Sequence, residues 1–217
     1  SLGGEVEIED DLLEEITYLV EYPTAFYGEF NKDYVKLPKE VVTTPMKEHQ
    51  RYFPVSKDGK LLPYFIAVRN GDKHAIDIVK AGNEKVLEAR LADALFFYDE
   101  DIKKPLESFV ENLKTVVFQA KLGTVYDKTL RIEKLAQDIV ETLDEKEILN
   151  DTLRAAKLCK ADLVTNMVFE FTELQGVMGR EYAKVGGEND AVAQAIFEHY
   201  LPRFAGDILP QTQEGVA

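Results

Sequence analysis

The chain has 217 residues, of which 40 are acidic and 26 basic, and its formal net charge at pH 7 is −14. This length suits one large or two small domains, and the acidity argues against non-specific nucleic-acid binding, which needs clustered Lys and Arg. The single cysteine, Cys159, excludes an internal disulfide and a cysteine-based zinc cluster. No apolar run is long enough for a membrane span, and the acidic first residues are unlike a secretory signal, so we expect a cytoplasmic protein.

The first half of the chain mixes helical and extended patterns. Residues 12–20 place apolar side chains at helical spacing and predict a short amphipathic helix. Residues 24–30 are rich in aromatic and β-branched side chains, and so are two segments, 51–55 and 62–68, on either side of the Asp58-Gly59 pair. Because Asp-Gly favours a tight turn, these two segments predict a β-hairpin.

The pattern changes to a helical period after residue 74. A stripe that runs from Leu87 to Tyr98 predicts one helix, with a Gly82-Asn83 turn before it. The segments Ile132–Leu143 and Val192–His199 predict two more helices with buried apolar faces. The fold class that follows is α+β, with a mixed β-rich module followed by an all-α helical bundle.

Four segments follow from these patterns. Residues 1–11 are expected to be a chain end or linker, and residues 12–70 a mixed α+β module that contains the hairpin. Residues 71–115 are expected to be connecting helices. Residues 116–217 are expected to form the helical domain, truncated at its C-terminus, so that the whole chain is an excised fragment.

One segment of the first half could contact a ligand. His49, Gln50, Arg51 and Tyr52 are consecutive, and together they could stack on and hydrogen-bond a nucleotide or a peptide. The structural alternative is that Tyr52 or Phe53 fills the core while the backbone satisfies His49 or Arg51. Such clusters are ordinary where a strand begins, which favours the structural alternative.

The second half contains carboxylates that could bind a metal. Asp162, Glu170 and Glu173 could hold a divalent ion if all three pointed into a helical bundle. However, His199 stands alone and the number of ligands is short, so a structural role is favoured. Cys159 lies on a helical stripe and is expected to be a small buried hydrophobe. The turn at 175–180 is expected to let two helices approach closely, because glycine has no Cβ.

Four blocks of sequence then occur in a characteristic order. They are TTPMKEHQRYFPV, GNEKVLEARLADALFFYDED, KLGTVYDKTLRIEKLA and KADLVTNMVFEFTELQGVMGREYA, with HYLPRFAGDILP after them. Together they closely resemble the β subunit of bacterial glycyl-tRNA synthetase, from about Leu12 to Pro210. The resemblance implies a tetramer of two α and two β chains. The α subunit would hold the catalytic core with ATP and Mg, and β would bind and position tRNA(Gly). This chain would be an internal portion of β, well under half of it, with no catalytic residue and no cofactor of its own.

The second half also resembles the degenerate HD-type helical domain of these β chains. In an active HD phosphohydrolase, a His-Asp pair joins further His and Asp residues around a metal. The resemblance places Ala161 at the His position and leaves Asp162 as a vestigial one, and residues 121–132, where an upstream ligand would lie, contain no His. We therefore expect no metal site. The alternatives are an HD-type metal-dependent phosphohydrolase and an acidic scaffold that only holds the α subunit.

Any RNA contact must come from the few basic side chains in these blocks, because the overall charge repels phosphate. The candidates are Lys121, Lys128 and Arg131, which we predict along the helix that opens the HD-like domain. On that helix Lys128 and Arg131 would share a face at i, i+3, and Lys121 would lie two turns earlier. Arg180, after a predicted turn at Gly179, is a fourth candidate. The alternative is that these side chains are solvated or paired with nearby Glu.

Overall fold

The computed structural model describes residues 3–217, and the chain divides into two compact units after Phe96. The division falls inside the predicted connecting segment, 71–115. Helices and antiparallel strands both occur, so the α+β class is confirmed. Among the described residues, no helix combines the length and apolar character that a membrane crossing needs.

The N-terminal unit is built on a four-stranded antiparallel sheet with strand order β1-β3-β4-β2. Its elements are β1 (Glu5–Val6), α1 (Asp10–Leu19), β2 (Pro23–Glu29), α2 (Lys39–Thr44), β3 (Phe53–Lys57), β4 (Lys60–Asn70) and most of α3 (Ile76–Asp101). A 3₁₀ helix at Lys32–Lys36 and a π-helical turn at Pro45–His49 join them. The predicted helix at 12–20 is confirmed as α1. Strand β1, by contrast, lies within residues 1–11, which were expected to be a chain end or linker.

The predicted hairpin is confirmed as β3 and β4. Lys57 pairs with Lys60 across the turn, and Asp58 and Gly59 both have positive φ, 51° and 75°. Two positive φ angles are what a type I′ turn requires, and this turn matches the twist of the strands that it joins. The Asp-Gly pair therefore sets the register of the sheet centre.

The core of the N-terminal unit lies against this sheet. Leu12 and Ile16 of α1 form a buried cluster with Phe53. Phe65 of β4 is fully buried and lies over Gly28 of β2, where a Cβ would be only 2.2 Å from the ring. Glycine at this position therefore allows the ring to approach the strand closely.

The predicted turn at Gly82-Asn83 is wrong, because both residues lie inside α3. The Asn83 side chain donates from Nδ2 to the Val79 carbonyl one turn earlier, at 2.7 Å, and its Oδ1 accepts from the Tyr52 hydroxyl. A glycine inside a helix is unfavourable by about 1 kcal/mol relative to alanine. Over the 26 residues of α3 this penalty is not enough to end the helix.

The C-terminal unit is mainly helical. It contains a 3₁₀ helix (Leu106–Thr115), β5 (Val117–Gln119), β6 (Gly123–Thr124), α4 (Val125–Thr142), α5 (Leu149–Leu158), α6 (Asn166–Glu170), α7 (Val177–Val185), α8 (Asp190–Glu198) and α9 (Gln213–Val216). The predicted helices at Ile132–Leu143 and Val192–His199 are confirmed to within one residue at their C-terminal ends. The all-α prediction is wrong for this unit, since β5 and β6 form a two-stranded ribbon. Its HD-like character stays a prediction.

The predicted burial of the α4 stripe is only partly correct. Ala136 and Val140 are buried, whereas Leu135, Ile139 and Leu143 are 60%, 42% and 66% exposed. At about 100° per residue, Leu135 and Ile139 lie roughly 100° and 60° around the helix from Ala136. Leu143 follows the last residue of the helix. The three exposed side chains are thus at the edge or the end of the face that packs.

Candidate functional site

The start of α4 is fixed by a capping box. The Thr124 hydroxyl accepts from the Asp127 N–H at 3.2 Å, and the Asp127 carboxylate accepts from the Thr124 N–H at 2.8 Å. Because this cap begins the helix at Val125, Lys121 lies in the turn between β5 and β6. The predicted helical relation between Lys121 and Lys128 is therefore wrong.

Lys128 and Arg131 do lie on α4, three residues apart as predicted. The Lys128 Nζ is 4.3 Å from the centre of the Phe118 ring on β5. Arg131 donates from Nη1 to the Leu122 carbonyl at 3.0 Å, which ties the helix to the ribbon turn. We call Phe118, Lys121, Lys128 and Arg131 the ribbon patch.

The turn between β5 and β6, which carries Lys121, is stabilised by the side chain of Gln119. Gln119 Oε1 accepts from the backbone N–H groups of Lys121 and Leu122, at 2.6 and 3.1 Å. These bonds, together with the Arg131 contact, fix the backbone on which Lys121 stands. Lys121 is exposed there.

The cations of the ribbon patch have no acidic partner. Within residues 3–217, no carboxylate oxygen lies within 4.0 Å of Lys121, Lys128 or Arg131. The acid nearest in sequence is Asp127, whose pKa is lowered by hydrogen bonds from Thr124, and by Arg131 to a smaller extent. Asp127 is thus ionised at neutral pH but is engaged by the cap. Arg131 is therefore not paired with a Glu among the described residues, whereas the alternative that the two lysines are solvated stays open.

A second cation lies over an aromatic ring nearby in sequence. The Lys114 Nζ is 4.5 Å from the centre of the Tyr126 ring, on the first turn of α4. Unlike the patch cations, Lys114 pairs with Glu111 at 2.5 Å. Because Lys114 has this acidic partner, we leave it outside the ribbon patch.

Arg180 differs from the other candidates. It lies within α7, since Gly176 precedes that helix and Gly179 belongs to it, so the predicted turn at Gly179 is wrong. Its Nε donates to Glu181 at 3.0 Å, and its guanidinium is 4.8 Å from the Phe197 ring centre. The pairing alternative is confirmed for Arg180.

In the N-terminal unit, the structural alternative for residues 49–52 is confirmed in its main points. Tyr52 and Phe53 are 3% and 4% exposed, and Tyr52 stacks on Phe65 with ring centres 4.5 Å apart. Arg51 donates to the Glu48 carbonyl at 2.9 Å and pairs with Glu15 at 2.8 Å. The remaining members occupy different places: His49 ends the π-helical turn, and Gln50 lines a surface cavity of about 340 Å³.

Asp162 is a buried anchor in the C-terminal unit. Its Oδ2 accepts from the N–H groups of Gly176 and Gly179, at 2.6 and 3.1 Å. Its Oδ1 is buried and has no hydrogen-bond partner among the described residues. Burial raises its pKa to about 6, and the two N–H groups oppose that rise.

The close approach of two helices at the glycines is confirmed. A Cβ at Gly179 of α7 would be 2.7 Å from Cγ2 of Ile196 on α8, and 3.1 Å from Oδ2 of Asp162. Gly176, just before α7, has a φ of +78°, a conformation that glycine adopts readily. Both glycines therefore serve the packing around Asp162.

The histidine of this unit is already engaged. His199 Nδ1 donates to the Ile196 carbonyl at 2.6 Å, and Nε2 accepts from Lys160 Nζ at 2.7 Å. Burial, and then the Lys160 charge, lower the pKa of His199 to about 3, so the ring is neutral at physiological pH. Lys160 itself is 9% exposed, lies 3.8 Å from the Tyr200 ring centre, and has a pKa lowered by burial.

These residues do not fit a metal. Both nitrogens of His199 are used, and Ala161 has no ligand atom. Glu170 and Glu173 are exposed rather than directed into the bundle. In the described part of the chain, no group of three or more His, Cys, Asp or Glu is arranged to hold an ion. Cys159 is buried as expected, and burial raises the pKa of its thiol to about 12.

Sequence reasoning missed a second buried carboxylate. Asp101, at the end of α3, accepts from the Asn166 N–H and side chain at 3.0 and 2.8 Å. It also accepts from the Met167 N–H and the Tyr182 hydroxyl, both at 2.9 Å. The three bonds from Asn166 and Met167 fix the start of α6, and the bond from Tyr182 ties Asp101 to α7. In the sequence, Asp101 is one of several acidic residues near the end of a predicted helix, and nothing there indicates that its carboxylate is buried and accepts these hydrogen bonds.

Comparison with known proteins identifies the family. The model of the family described as "Glycyl-tRNA synthetase beta subunit" matches residues 1–217. The glycine–tRNA ligase beta subunit of Clostridioides difficile (strain 630) is 76% identical over 217 residues, which are 100% of this chain and 32% of that protein. The corresponding protein of Desulforamulus reducens is 60% identical over 215 residues, 98% of this chain and 31% of its own length. These matches do not support a metal-dependent phosphohydrolase.

The chain spans about a third of the length of the curated relatives that it matches. The family match, by contrast, covers the whole chain and agrees with the resemblance of its four blocks. The chain therefore belongs to the glycyl-tRNA synthetase beta subunit family.

Proposed function

We propose that this chain is a non-catalytic part of a glycine–tRNA ligase β subunit that helps to bind and position tRNA(Gly). Glycylation would be performed by the α subunit, with ATP and Mg bound there, in a cytoplasmic α2β2 enzyme. Family membership supports the enzyme class. The observation that supports the RNA role is the ribbon patch. Its three cations have no acidic partner among the described residues, and one of them, Lys128, lies over the exposed Phe118 ring, on a chain of net charge −14.

The physical argument rests on local charge. A chain this acidic repels RNA over most of its surface, so a contact needs a place where cations are not neutralised. Lys128 and Arg131 lie on one face of α4, and Lys121 stands in a turn that Gln119 and Arg131 hold in place. Lysine and arginine contacts to phosphate position an RNA without reading its sequence. The ribbon patch is therefore suited to positioning.

The helical unit would supply a rigid support for this patch. The HD-like arrangement that the resemblance implies would act here as a scaffold, with Asp162 as a hydrogen-bond acceptor. The capping box at Thr124 fixes the direction of α4 and with it the spacing of Lys128 and Arg131. A rigid support limits the entropy that is lost when the RNA binds.

The test is charge reversal in the complete enzyme. The double variant Lys128→Glu, Arg131→Glu should weaken tRNA(Gly) binding roughly tenfold or more and reduce the slope of log affinity against log salt by about 1 to 2. Glycine activation should stay unchanged. The control Lys146→Glu, Lys184→Glu changes net charge equally at exposed positions outside the patch.

Affinity and salt slope equal to those of the control would refute the RNA role. A reversal that instead releases the α subunit, with RNA affinity of the free β chain unchanged, would favour the acidic scaffold. Filter binding of labelled tRNA at several salt concentrations, with size-exclusion chromatography of each variant, separates the two results.

A further inference from the structure

The ribbon patch contains a feature that phosphate binding does not require. Phe118 is 43% exposed; Phe169 and Phe204 of the same unit are more exposed, at 81% and 65%, but a lysine lies over the ring of Phe118. Its neighbours on the ribbon, Val117 and Leu122, are 71% and 52% exposed. The ribbon therefore does not use this ring to build a core.

Phe118 lies at an irregularity of the ribbon. Val117 pairs with Thr124 and Gln119 with Gly123, so the register shifts between them and Phe118 has no paired residue on the other strand, as in a β-bulge. Lys128 approaches the ring from the first turns of α4, 4.3 Å from its centre. The result is an exposed aromatic ring beside a cation that has no acidic partner in the described part of the chain.

We propose that Phe118 stacks on an unpaired nucleobase of the RNA, with Lys128 and Arg131 on the adjoining phosphates. This inference rests on the proposed RNA-binding function and adds the kind of RNA element that the patch binds. A base within a duplex has both faces covered by its neighbours, whereas an unpaired base in a loop or at an end can lie on an aromatic side chain. A ring combined with backbone-binding cations is the arrangement by which proteins bind single-stranded nucleic acid.

The inference differs from phosphate binding in its salt dependence. Stacking on a ring releases no counterions, so loss of the ring should lower affinity at every salt concentration without changing the slope. Loss of Lys128 and Arg131 should change the slope as well. The two contributions are therefore separable in one set of titrations.

The experiment uses the complete enzyme with Phe118→Leu, which keeps an apolar side chain and removes the aromatic face. Loss of one stacked base should reduce affinity for tRNA(Gly) roughly 5- to 100-fold. Phe118→Tyr keeps the ring and should stay within about threefold of the wild type. Phe204→Leu, at an exposed phenylalanine elsewhere in the same unit, is the matched control.

A second RNA tests the requirement for an unpaired base. A fully paired duplex, with as many phosphates as the tRNA, should bind the wild type and Phe118→Leu equally. Equal loss with duplex and tRNA, or a loss of salt slope in Phe118→Leu, would show that the ring only supports Lys128 and would overturn the stacking. Wild-type tRNA affinity in Phe118→Leu would also overturn it.

The outcomes distinguish this inference from the proposed function. If charge reversal at Lys128 and Arg131 weakens binding and Phe118→Leu does not, the patch binds RNA but stacks no base. If charge reversal has no effect, the proposed function itself fails. Circular dichroism melting checks that Phe118→Leu and Phe118→Tyr are folded, and Phe118→Met, which also removes the ring and keeps an apolar side chain, replaces the Leu variant if that one is not.

Discussion

Replacing Asp162 tests whether its carboxylate is a structural acceptor. In Asp162→Ala, the N–H groups of Gly176 and Gly179 lose their acceptor inside the unit. Each buried unsatisfied N–H costs about 1–3 kcal/mol, and relief of the buried charge offsets part of this. We expect a loss of about 2–5 kcal/mol in the free energy of unfolding at pH 7.

Asp162→Asn separates the hydrogen bonds from the charge. The amide oxygen can still accept from both glycines, but the side chain no longer ionises. In the folded wild type the pKa of Asp162 is about 6, above its ordinary value of 3.8. A raised pKa means that ionisation destabilises the fold. Relative to the Asn variant, the wild type should therefore lose roughly 2–2.5 kcal/mol as pH rises from 4 to above 6.

Urea denaturation followed by far-UV circular dichroism, at pH values from 4 to 8, measures both effects. The difference between wild type and Asp162→Asn cancels the titration of the other groups, whose surroundings are the same in both. Parallel stability curves for these two proteins would show that the carboxylate is not desolvated as the structure indicates. An Ala variant as stable as the wild type would refute its role as an acceptor.

Three further predictions concern the same unit and its neighbour. Gly179→Ala places a Cβ 2.7 Å from Ile196 and should destabilise the fold by about 1–3 kcal/mol in urea denaturation. Gly82→Ala, whose Cβ would have no atom within 4 Å in α3, should instead stabilise the fold by up to about 1 kcal/mol. Equal effects of the two variants would contradict the packing described. The Cys159 thiol, buried and with a pKa of about 12, should react with Ellman's reagent at pH 8 only after denaturation, and rapid labelling of the native chain would contradict its burial. After dialysis against Mn²⁺ or Fe²⁺, metal analysis should find no stoichiometric ion; retained metal with a phosphatase activity lost in Asp162→Ala would restore the hydrolase alternative.

Periodicity predicted the helices better than it predicted their buried faces. The stripe in α4 is a property of the chain alone, and so the helix could be predicted from it. Which part of the stripe is buried depends on where neighbouring helices pack. This is why Ala136 and Val140 are buried while Leu135 and Ile139 are exposed. The Asp58-Gly59 turn could be predicted because it depends only on local backbone geometry.

The candidate site was predictable only in the part that lies on one helix. Lys128 and Arg131 share a face because they are three residues apart on α4, and their spacing in sequence shows this. Phe118 lies next to Lys128 because of the β5–β6 ribbon, whose strands have only three and two residues. Strands this short have no detectable period, and these bury no core, so the sequence gives no signal for them.

Asp162 illustrates how a carboxylate can be required without a metal. The resemblance to HD-type domains suggests a metal ligand at this position, yet Oδ2 is engaged by two backbone N–H groups. Those N–H groups belong to Gly176 and Gly179, at the start of α7, where an acceptor is needed whether or not an ion binds. The fold has no comparable need for a histidine at position 161, and the residue there is Ala161, which is fully buried. The buried aspartate therefore indicates how α7 is held in place and gives no support for hydrolysis.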